Sequence, residues 1–326
     1  MNKNLLLPLL FCLLLLPGNK ANGQVNPLTD QYLINPFLMN PAIAGTERYA
    51  PLVLNARQQW MGWDGAPASQ TITYHTRLRS KGIFYTPRGF RNKGKNSFGR
   101  IGLGGGFFNY AYGAVSHTGF HLDYSYQIFL GPGRLSFGVA PLFFQYRLNK
   151  SGFVLPDPTI IDPLIAKPSE SLWFLDVDAG MHYYTDRFYL GFSAVQLLNS
   201  AVKFGQYSFP KQTEASQNPD LATTTYLYSG YRFTFSRNFA FEPSVYLKYN
   251  FRNGAGIHLN TLIRVGDSFE SGLSYRWKEG FSFLAGVQLD NLQIRYLFEI
   301  PFTARVPNRF TSHSVSILLR LGEPIE

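Results

Sequence analysis

Apolar and polar residues alternate with a period of two along most of this chain. In one segment Val245, Leu247 and Tyr249 alternate with Tyr246 and Lys248. Successive side chains of a β-strand point to opposite faces, so the pattern predicts strands with one apolar and one polar face. Alternation alone does not distinguish a soluble sandwich, whose polar faces meet water, from a membrane barrel, whose apolar faces meet lipid.

The number and length of these segments favour a barrel. About fourteen segments carry the pattern, and many are near the length of about 9 to 11 residues that a tilted strand needs to cross a bilayer. An even number of strands suits a closed barrel with both chain ends on one side. The predicted strands span residues 51–60, 68–79, 98–110, 114–130, 133–148, 172–184, 186–196, 222–235, 238–250, 255–265, 268–277, 280–289, 291–300 and 311–321.

Tight turns and long loops alternate between the predicted strands. The tight turns are Gly131-Pro132-Gly133, Thr185-Asp186, Ser236-Arg237, Gly266-Asp267 and Asp290-Asn291, and the long connections span 149–171, 198–221 and 301–310. Outer-membrane barrels have short periplasmic turns and long external loops, a rule that a soluble sandwich has no reason to follow. The sequence therefore predicts an all-β fold, a transmembrane antiparallel barrel of about 14 strands in the outer membrane.

One connection on the predicted periplasmic side departs from this rule. The segment 80–97 is long and contains Lys81, Arg88, Arg91, Lys93 and Lys95. We interpret it as a real periplasmic loop rather than as an error in the strand count. Such a charge run is typical of a solvated surface, and the sharper hypothesis is a docking surface for an acidic periplasmic partner.

The beginning of the chain has the three parts of a secretory signal peptide. Lys3 is followed by an apolar run, Leu5–Leu16, and by a small-residue end, Ala21-Asn22-Gly23. The run is too short to span a bilayer as a helix, which takes about 20 residues. We expect cleavage before Gln24 and export to the outer membrane. The predicted organisation is a signal peptide over 1–23, a non-helical N-terminal extension and candidate plug over 24–50, and a barrel over 51–326.

The composition excludes several kinds of chemistry. Cys12, the single cysteine, lies in the signal peptide, so the mature chain has no thiol for a disulfide, a zinc site or a nucleophile. Aromatic residues make up 16% of the chain and charged residues 15%, a balance that is typical of outer-membrane barrels. A net charge of +10 is consistent with a nucleic-acid partner. The predicted export of the protein argues against such a partner.

No residues stand in a pattern that predicts catalysis, and we expect neither an enzyme nor a cofactor. The glycine-rich run 102–106 lies within a strand pattern and favours close packing over a phosphate loop. His117, His121 and Asp123 would share one face of a strand, so a metal site is an alternative to two lumen-facing imidazoles, although we expect no metal. An outer-membrane hydrolase is a weaker alternative, because nothing singles out a serine and a histidine for it.

Basic residues recur on the polar faces of the late strands. They are Arg232, Lys248, Arg252, Arg264, Arg276, Arg295 and Arg320. Facing a lumen, they would hold a plug or a bound acidic segment. The alternative is a charge ladder within the barrel, for which Glu242, Asp290 and Glu299 are too few to pair with every base.

Between the signal peptide and the second predicted strand lies a segment whose residues form no pattern typical of a catalytic site. It reads QYLINPFLMNPAIAG and then RQQWMGWDGAP. Asn-Pro pairs favour the start of a turn and keep the residue before proline out of the helical region, so we expect an ordered binding or plugging element. The candidate residues are Asn35, Pro36, Asn40, Pro41, Gly45, Arg57, Gln59, Trp60, Gly62, Asp64, Gly65 and Pro67.

This segment resembles the start of the PorP/SprF family of Bacteroidetes outer-membrane proteins. The runs Tyr183–Gly191, Ser274–Trp277 and Ser312–Ser314 resemble later landmarks of that family. The resemblance implies an outer-membrane component of the type IX secretion system, which exports proteins with a C-terminal sorting domain. It also implies partners among the periplasmic components of the machine or, in some members, a large surface adhesin used in gliding.

The leading hypothesis is therefore a barrel in outer-membrane lipid that supports the secretion or surface attachment of partner proteins by binding. The 80–97 segment and the charged end of the chain depart from the family pattern that we expect. A passive porin or solute transporter is the alternative, because basic polar faces could also line an open pore.

Overall fold

The computed structural model describes residues 31–78, 99–149, 170–198, 202–204, 223–236, 238–250, 254–302 and 310–322. In these residues the chain forms sixteen β-strand segments and two short 3-10 turns, Pro36–Leu38 and Pro41–Ile43. The strands are β1 (Ala50–Gln58), β2 (Ala68–Arg77), β3 (Arg100–Tyr112), β4 (Val115–Leu130), β5 (Gly133–Leu148), β6 (Glu170–Tyr184), β7 (Phe188–Val195), β8 (Val202–Phe204), β9 (Thr224–Tyr231), β10 (Phe233–Ser236), β11 (Phe239–Asn250), β12 (Gly254–Val265), β13 (Phe269–Arg276), β14 (Gly280–Leu289), β15 (Leu292–Pro301) and β16 (Ser312–Leu321). None of the described residues forms a helix long and apolar enough to cross a membrane.

The strands form one antiparallel sheet that closes on itself. β1 pairs with β16, from Ala50 opposite Leu321 to Gln58 opposite His313. β9 and β10 both pair with β11 and are two parts of one wall strand, which is interrupted at Arg232. The short β8 pairs with β6 beyond the end of β7. The wall is a closed barrel of 14 strands, so the predicted fold class and strand number are confirmed.

The two faces of the wall differ as the alternation predicts. On β2, Ile72 and Tyr74 point outward and are exposed, whereas Thr71 and Thr73 point into the barrel and are buried. Other large outward side chains, such as Phe107, are exposed in the same way. An apolar outer surface with a polar interior is the arrangement of a barrel in lipid, and the chain is an outer-membrane protein.

The two ends of the barrel are also different. Five tight connections, β4–β5, β6–β7, β10–β11, β12–β13 and β14–β15, lie at the end that holds the start of β1 and the end of β16, which we call the turn end. Gly131 and Gly266 make two of these turns with φ of +57° and +63°, a conformation that glycine adopts without a Cβ clash. The tight β3–β4 and β13–β14 turns lie at the opposite end. The opposite end, the loop end, carries the connections over 149–169, 196–223 and 302–311. The basic 80–97 segment belongs to the β2–β3 connection and lies outside the described residues.

The interior of the barrel is occupied by the chain that precedes β1. We call residues 31–45 the plug. Gln31 contacts Ser69, near the loop end of β2, whereas Gly45 contacts Arg77 at the turn end of the same strand. The plug therefore runs along the lumen toward the turn end, where the chain continues into β1, and most of its side chains are buried.

Candidate functional site

Each Asn-Pro pair of the plug starts one of its 3-10 turns. Proline takes the first position of each turn, where its fixed φ fits and its missing N–H is not needed. Asn40 also caps its turn, because its Oδ1 accepts a hydrogen bond of 2.9 Å from the N–H of Ala42. Asn35 makes no such cap and instead donates from Nδ2 to Oγ1 of Thr73 in β2, at 2.7 Å. The two Asn-Pro pairs thus shape the plug and also bind it to the wall.

The Asn40 amide joins two wall strands and a tyrosine. Its Nδ2 donates to the carbonyl oxygens of Met181 at 3.0 Å and Phe192 at 3.3 Å, which are paired residues of β6 and β7. The same Nδ2 lies 2.9 Å from the hydroxyl of Tyr228 in β9. Gly180 makes room for this contact, because a Cβ at Gly180 would lie 2.1 Å from Asn40 Oδ1. The side chain is fully buried, so its bonds form away from water.

Tyr32 binds the opposite part of the wall. Its hydroxyl lies 3.0 Å from Nδ1 of His258 and donates to Oδ1 of Asn260 at 3.2 Å, both in β12. Its ring stacks on Tyr246 of β11, with centroids 4.2 Å apart. The plug therefore contacts strands on both sides of the lumen.

Wall side chains satisfy the backbone of the plug where it approaches the turn end. Ser136 donates to the carbonyl of Ala42 at 2.6 Å, and Ser125 donates to that of Ala44 at 2.7 Å. A buried carbonyl without a partner is costly, so these hydroxyls stabilise the chain inside the barrel.

Arg77 binds the chain at the point where it leaves the lumen. Its Nε donates to the carbonyl of Gly45 at 3.0 Å, and its Nη2 donates to those of Thr46 and Glu47, each at 3.1 Å. A guanidinium can serve several acceptors at once because its donors point in fixed directions. Arg77 therefore fixes three successive residues of the chain.

Glycines in the wall let the plug backbone lie directly against the strands. A Cβ at Gly102 would lie 2.1 Å from the carbonyl oxygen of Ala44, and a Cβ at Gly138 would lie 2.2 Å from the backbone nitrogen of Ala42. Gly102 belongs to the run 102–106, where the sequence favours close packing. Side chains at these two positions would push the plug away from the wall.

Apolar side chains of the plug form the largest buried cluster of the described residues. Phe37, Met39 and Ile43 contribute from the plug, and they pack with tyrosines and a valine of the wall. The wall members are Val195, Tyr226, Tyr228 and Tyr246. The core of the molecule thus lies within the lumen, and burial of apolar surface holds the plug together with its polar contacts.

The predicted basic residues of the late strands share carboxylates. Glu242 lies 2.9 Å from Arg232 and 2.8 Å from Arg264, and Glu270 lies 3.1 Å from Arg264 and 2.8 Å from Arg295. These five residues form a continuous ladder across the lumen face of β11 to β15, beginning at the break between β9 and β10. Because each carboxylate serves two bases, the expectation that acidic partners are too few is wrong for this set.

The ladder also contacts the plug. Arg295 donates from Nη1 to the carbonyl of Ile34 at 3.0 Å. Nearer the loop end, Glu299 binds both Arg57, whose Nε lies 3.0 Å from Oε2, and Arg276. The basic faces therefore act as an internal ladder that also binds the plug.

The remaining predicted bases lie in other surroundings. Arg320 lies over the ring of Tyr49 at 5.0 Å, and Lys248 is buried on the lumen face of β11. Arg252 lies outside the described residues. Asp290, expected as a partner for the bases, lies in the exposed β14–β15 turn.

The run RQQWMGWDGAP, residues 57–67, follows the end of β1 into the β1–β2 connection at the loop end. Gln59 and Pro67 close the β1–β2 connection through a backbone bond of 2.8 Å. The backbone N–H of Trp60 donates to Oγ of Ser312 at 3.2 Å, and the carbonyl of Gly65 accepts from the backbone N–H of Gly113 at 2.7 Å. The connection therefore braces the start of β16 and the β3–β4 turn.

Two other candidates of this connection differ in their surroundings. Gly62, with φ of +97°, lies beside the ring of Phe310, whereas Asp64 is exposed. The candidate residues thus fall into three places: the plug, the Arg57–Glu299 pair and the loop end.

The two histidines considered as metal ligands have other neighbours. Nδ1 of His121 lies 2.6 Å from Oδ2 of Asp123, and His117 stacks on Phe144 with ring centroids 6.0 Å apart. The described part of the chain holds no group of three or more histidine, cysteine or carboxylate side chains placed to bind a metal.

Sequence reasoning missed several residues that hold the plug. Ser125, Gln127 and Ser136 gave no signal beyond their place on polar faces, and Glu270 was not among the expected partners of the bases. The inward parity of a strand marks such residues as lumen-facing, but it does not say which of them meet the plug.

Solved structures with a similar course of chain are outer-membrane proteins. A Pseudomonas aeruginosa FadL homologue aligns over 93% of this chain and 96% of its own, with 12% identity and a TM-score of 0.43. The Pseudomonas putida toluene transporter TodX aligns over 93% and 95%, with 11% identity and a TM-score of 0.43. The translocator domain of the autotransporter NalP from Neisseria meningitidis aligns over 90% and 92%, with 11% identity and a TM-score of 0.37. No curated protein matches the chain.

A family model gives the assignment. The model described as type IX secretion system membrane protein PorP/SprF matches residues 21–321. This range includes the plug, the whole described wall and the β1–β2 connection at the loop end. The chain therefore belongs to the PorP/SprF family of type IX secretion system membrane proteins.

Proposed function

We propose that this barrel supports the secretion or surface attachment of partner proteins by binding them, with its lumen closed by its own N-terminal extension. The partners would be periplasmic components of the type IX system and exported proteins with a C-terminal sorting domain, a gliding adhesin among them. The observation that carries the proposal is the plug, whose side chains and backbone bind wall strands from β1 to β15.

A closed lumen favours binding over solute passage. The inward hydroxyls of Ser136 and Tyr228 are engaged with the plug, and the guanidinium of Arg264 is engaged within the ladder. The family and the fold also give no positive sign of catalysis. Binding sites for partners would then lie at the two ends of the barrel rather than along its axis.

Deleting the gene in its own host tests the proposed role. We expect proteins with a C-terminal sorting domain to accumulate in the periplasm or to leave the cell without attachment, because the barrel that binds their machinery is missing. Cell fractionation and surface labelling would measure this, with the wild-type gene restored on a plasmid as the control. Full export and attachment of every such protein in the deletion strain would refute the role.

Conductance of the purified protein separates the proposal from a passive porin. Reconstituted in a planar bilayer, the wild-type barrel should give no steady open current, because residues 31–45 lie buried inside the wall. A constant ohmic conductance of the wild-type protein would favour the porin.

A further inference from the structure

At the turn end, two arginines stack on one aromatic ring. Cζ of Arg134 lies 4.9 Å from the ring centroid of Phe129, and Cζ of Arg100 lies 5.8 Å from the same centroid. Phe129 and Arg134 are paired across β4 and β5, and Arg100 is on the neighbouring β3. We call these three residues the Phe129 cluster.

The cluster faces the mouth of the lumen rather than the lipid. In each of the three strands, the residue two positions further into the barrel points inward and lies beside the plug. These residues are Gly102, Gln127 and Ser136. Because side chains of a strand alternate between faces, the cluster shares this inward parity. It therefore lies on the lumen side of the barrel wall at the turn end, closer to the rim than the point where the plug ends.

The charges of the cluster are not neutralised as those of the ladder are. Among the described residues, Arg100 and Arg134 form no ion pair with a carboxylate. Phe129 is 49% exposed, and both arginines are partly exposed. Two guanidiniums that approach one ring from the neighbouring strands β3 and β5, partly exposed and without an anion, form a surface that is complementary to carboxylates.

We propose that the Phe129 cluster binds an acidic peptide segment of a periplasmic partner protein. Each guanidinium would donate paired hydrogen bonds to a glutamate or aspartate carboxylate, and the exposed ring would pack against the methylene groups between them. The turn end faces the periplasm by the rule for outer-membrane barrels. This inference rests on the proposed binding role and adds the face of the barrel and the chemistry of its partner.

The sequence next to the cluster has the same charge. Residues 79–98, which join β2 to β3, include six lysines and arginines and no aspartate or glutamate. They are not part of the site, but their charge would raise the local concentration of an acidic segment and speed its association.

A peptide-binding measurement tests the proposal. The full mature protein in phosphatidylcholine nanodiscs would be titrated with a fluorescent octaglutamate peptide, and anisotropy would report binding. We expect binding that weakens with added salt and that falls by about tenfold or more in Arg100→Gln/Arg134→Gln. The control Arg187→Gln/Lys278→Gln removes the same charge from two exposed sites and should change the dissociation constant by less than about twofold.

A variant with unchanged net charge tests whether the peptide recognises the arrangement of the cluster or only its positive charge. Phe129→Leu keeps both arginines but removes the ring that holds them, so we expect a loss of about threefold to tenfold in affinity. Resistance of the barrel to unfolding in cold detergent would show that each variant is folded.

Three results would overturn the proposal. They are no peptide binding to the wild type, an equal loss in the cluster and control variants, and variant-sensitive binding of phosphatidylglycerol without peptide binding, which would assign the cluster to lipid. The test of the proposed function measures cargo export in cells, whereas this test measures peptide affinity of the purified protein. The proposed function and this inference can therefore fail separately.

Discussion

At the scale of single residues, the plug depends on a few polar side chains and on the absence of others. Asn40 combines a cap for its own turn with bonds to β6, β7 and Tyr228. Gly138 and Gly102 contribute by leaving space for the backbone of the plug. A residue that binds and a residue that makes room are both needed for the plug to lie so close to the wall.

Asn40→Ala should loosen the plug. The substitution removes the amide from a fully buried position and leaves the Tyr228 hydroxyl without this partner, so we expect the free energy of unfolding to fall by about 1–3 kcal/mol. Urea titration of the barrel in lipid vesicles, followed by tryptophan fluorescence, would measure it. Asn238→Ala, in an exposed turn, is the matched control and should leave stability nearly unchanged. Equal stability of the two variants would contradict the role of the Asn40 amide.

Gly138→Ala should displace the plug by sterics alone. The new methyl would lie 2.2 Å from the nitrogen of Ala42, too close for any real contact, so the plug must move. We expect faster proteolysis between residues 31 and 45, measured by limited digestion and mass spectrometry of the purified barrel. Gly256→Ala provides the control, because its methyl would have no neighbour closer than 3.6 Å. Identical digestion of both variants would show that the wall adapts instead.

At the scale of elements, the late strands are linked by shared charges as well as by backbone pairing. Glu270 on β13 binds Arg264 of β12 and Arg295 of β15, and Arg295 in turn binds the plug. Because β14 lies between β13 and β15, the ladder reaches across a strand that contributes no charge to it. The ladder therefore connects strands that are not adjacent.

Glu270→Gln should weaken this part of the wall. The neutral side chain leaves the half-buried Arg295 without its carboxylate, and breaking a largely buried ion pair costs on the order of 3 kcal/mol. The midpoint of urea unfolding should fall accordingly. Asp186→Asn breaks an exposed pair with Arg48 and should have little effect. A Glu270→Gln midpoint equal to that of the wild type would show that the ladder is not stabilising.

The faces of the strands could be predicted from the sequence, but the contacts of the plug could not. A period of two assigns Ser136 and Tyr228 to the inward face from neighbouring residues alone. Their contacts with Ala42 and Asn40 join residues 94 and 188 positions apart, which depends on the register of every strand between them. The sharing of Glu270 between two bases was missed for the same reason.

At the scale of the whole molecule, the barrel is a closed wall around its own N-terminal segment. The largest buried cluster of the described residues is made by plug and wall together. In the described part of the barrel, residues 31–45 lie within the lumen and share this cluster with the wall, so the plug contributes to the stability of the molecule.

Deleting residues 31–45 should open the lumen. Because the wall strands pair with one another through their backbones, we expect the variant still to insert into a bilayer but to conduct ions where the wild type does not. Planar bilayer recordings would measure this, with Gly256→Ala as a control for a wall substitution. A deletion variant that inserts and remains closed would show that other parts of the chain shut the barrel.

The seam between β1 and β16 sets the order in which this molecule can be assembled. The plug directly precedes β1, the first wall strand, and β1 pairs with β16, the last of the described wall strands along the chain. Because the plug is enclosed by the completed wall, it must enter the interior before that last pairing closes, or thread in afterwards through the turn end. The sheet therefore closes around the segment that precedes its own first strand. Once β1 and β16 have paired, the plug is enclosed within the barrel.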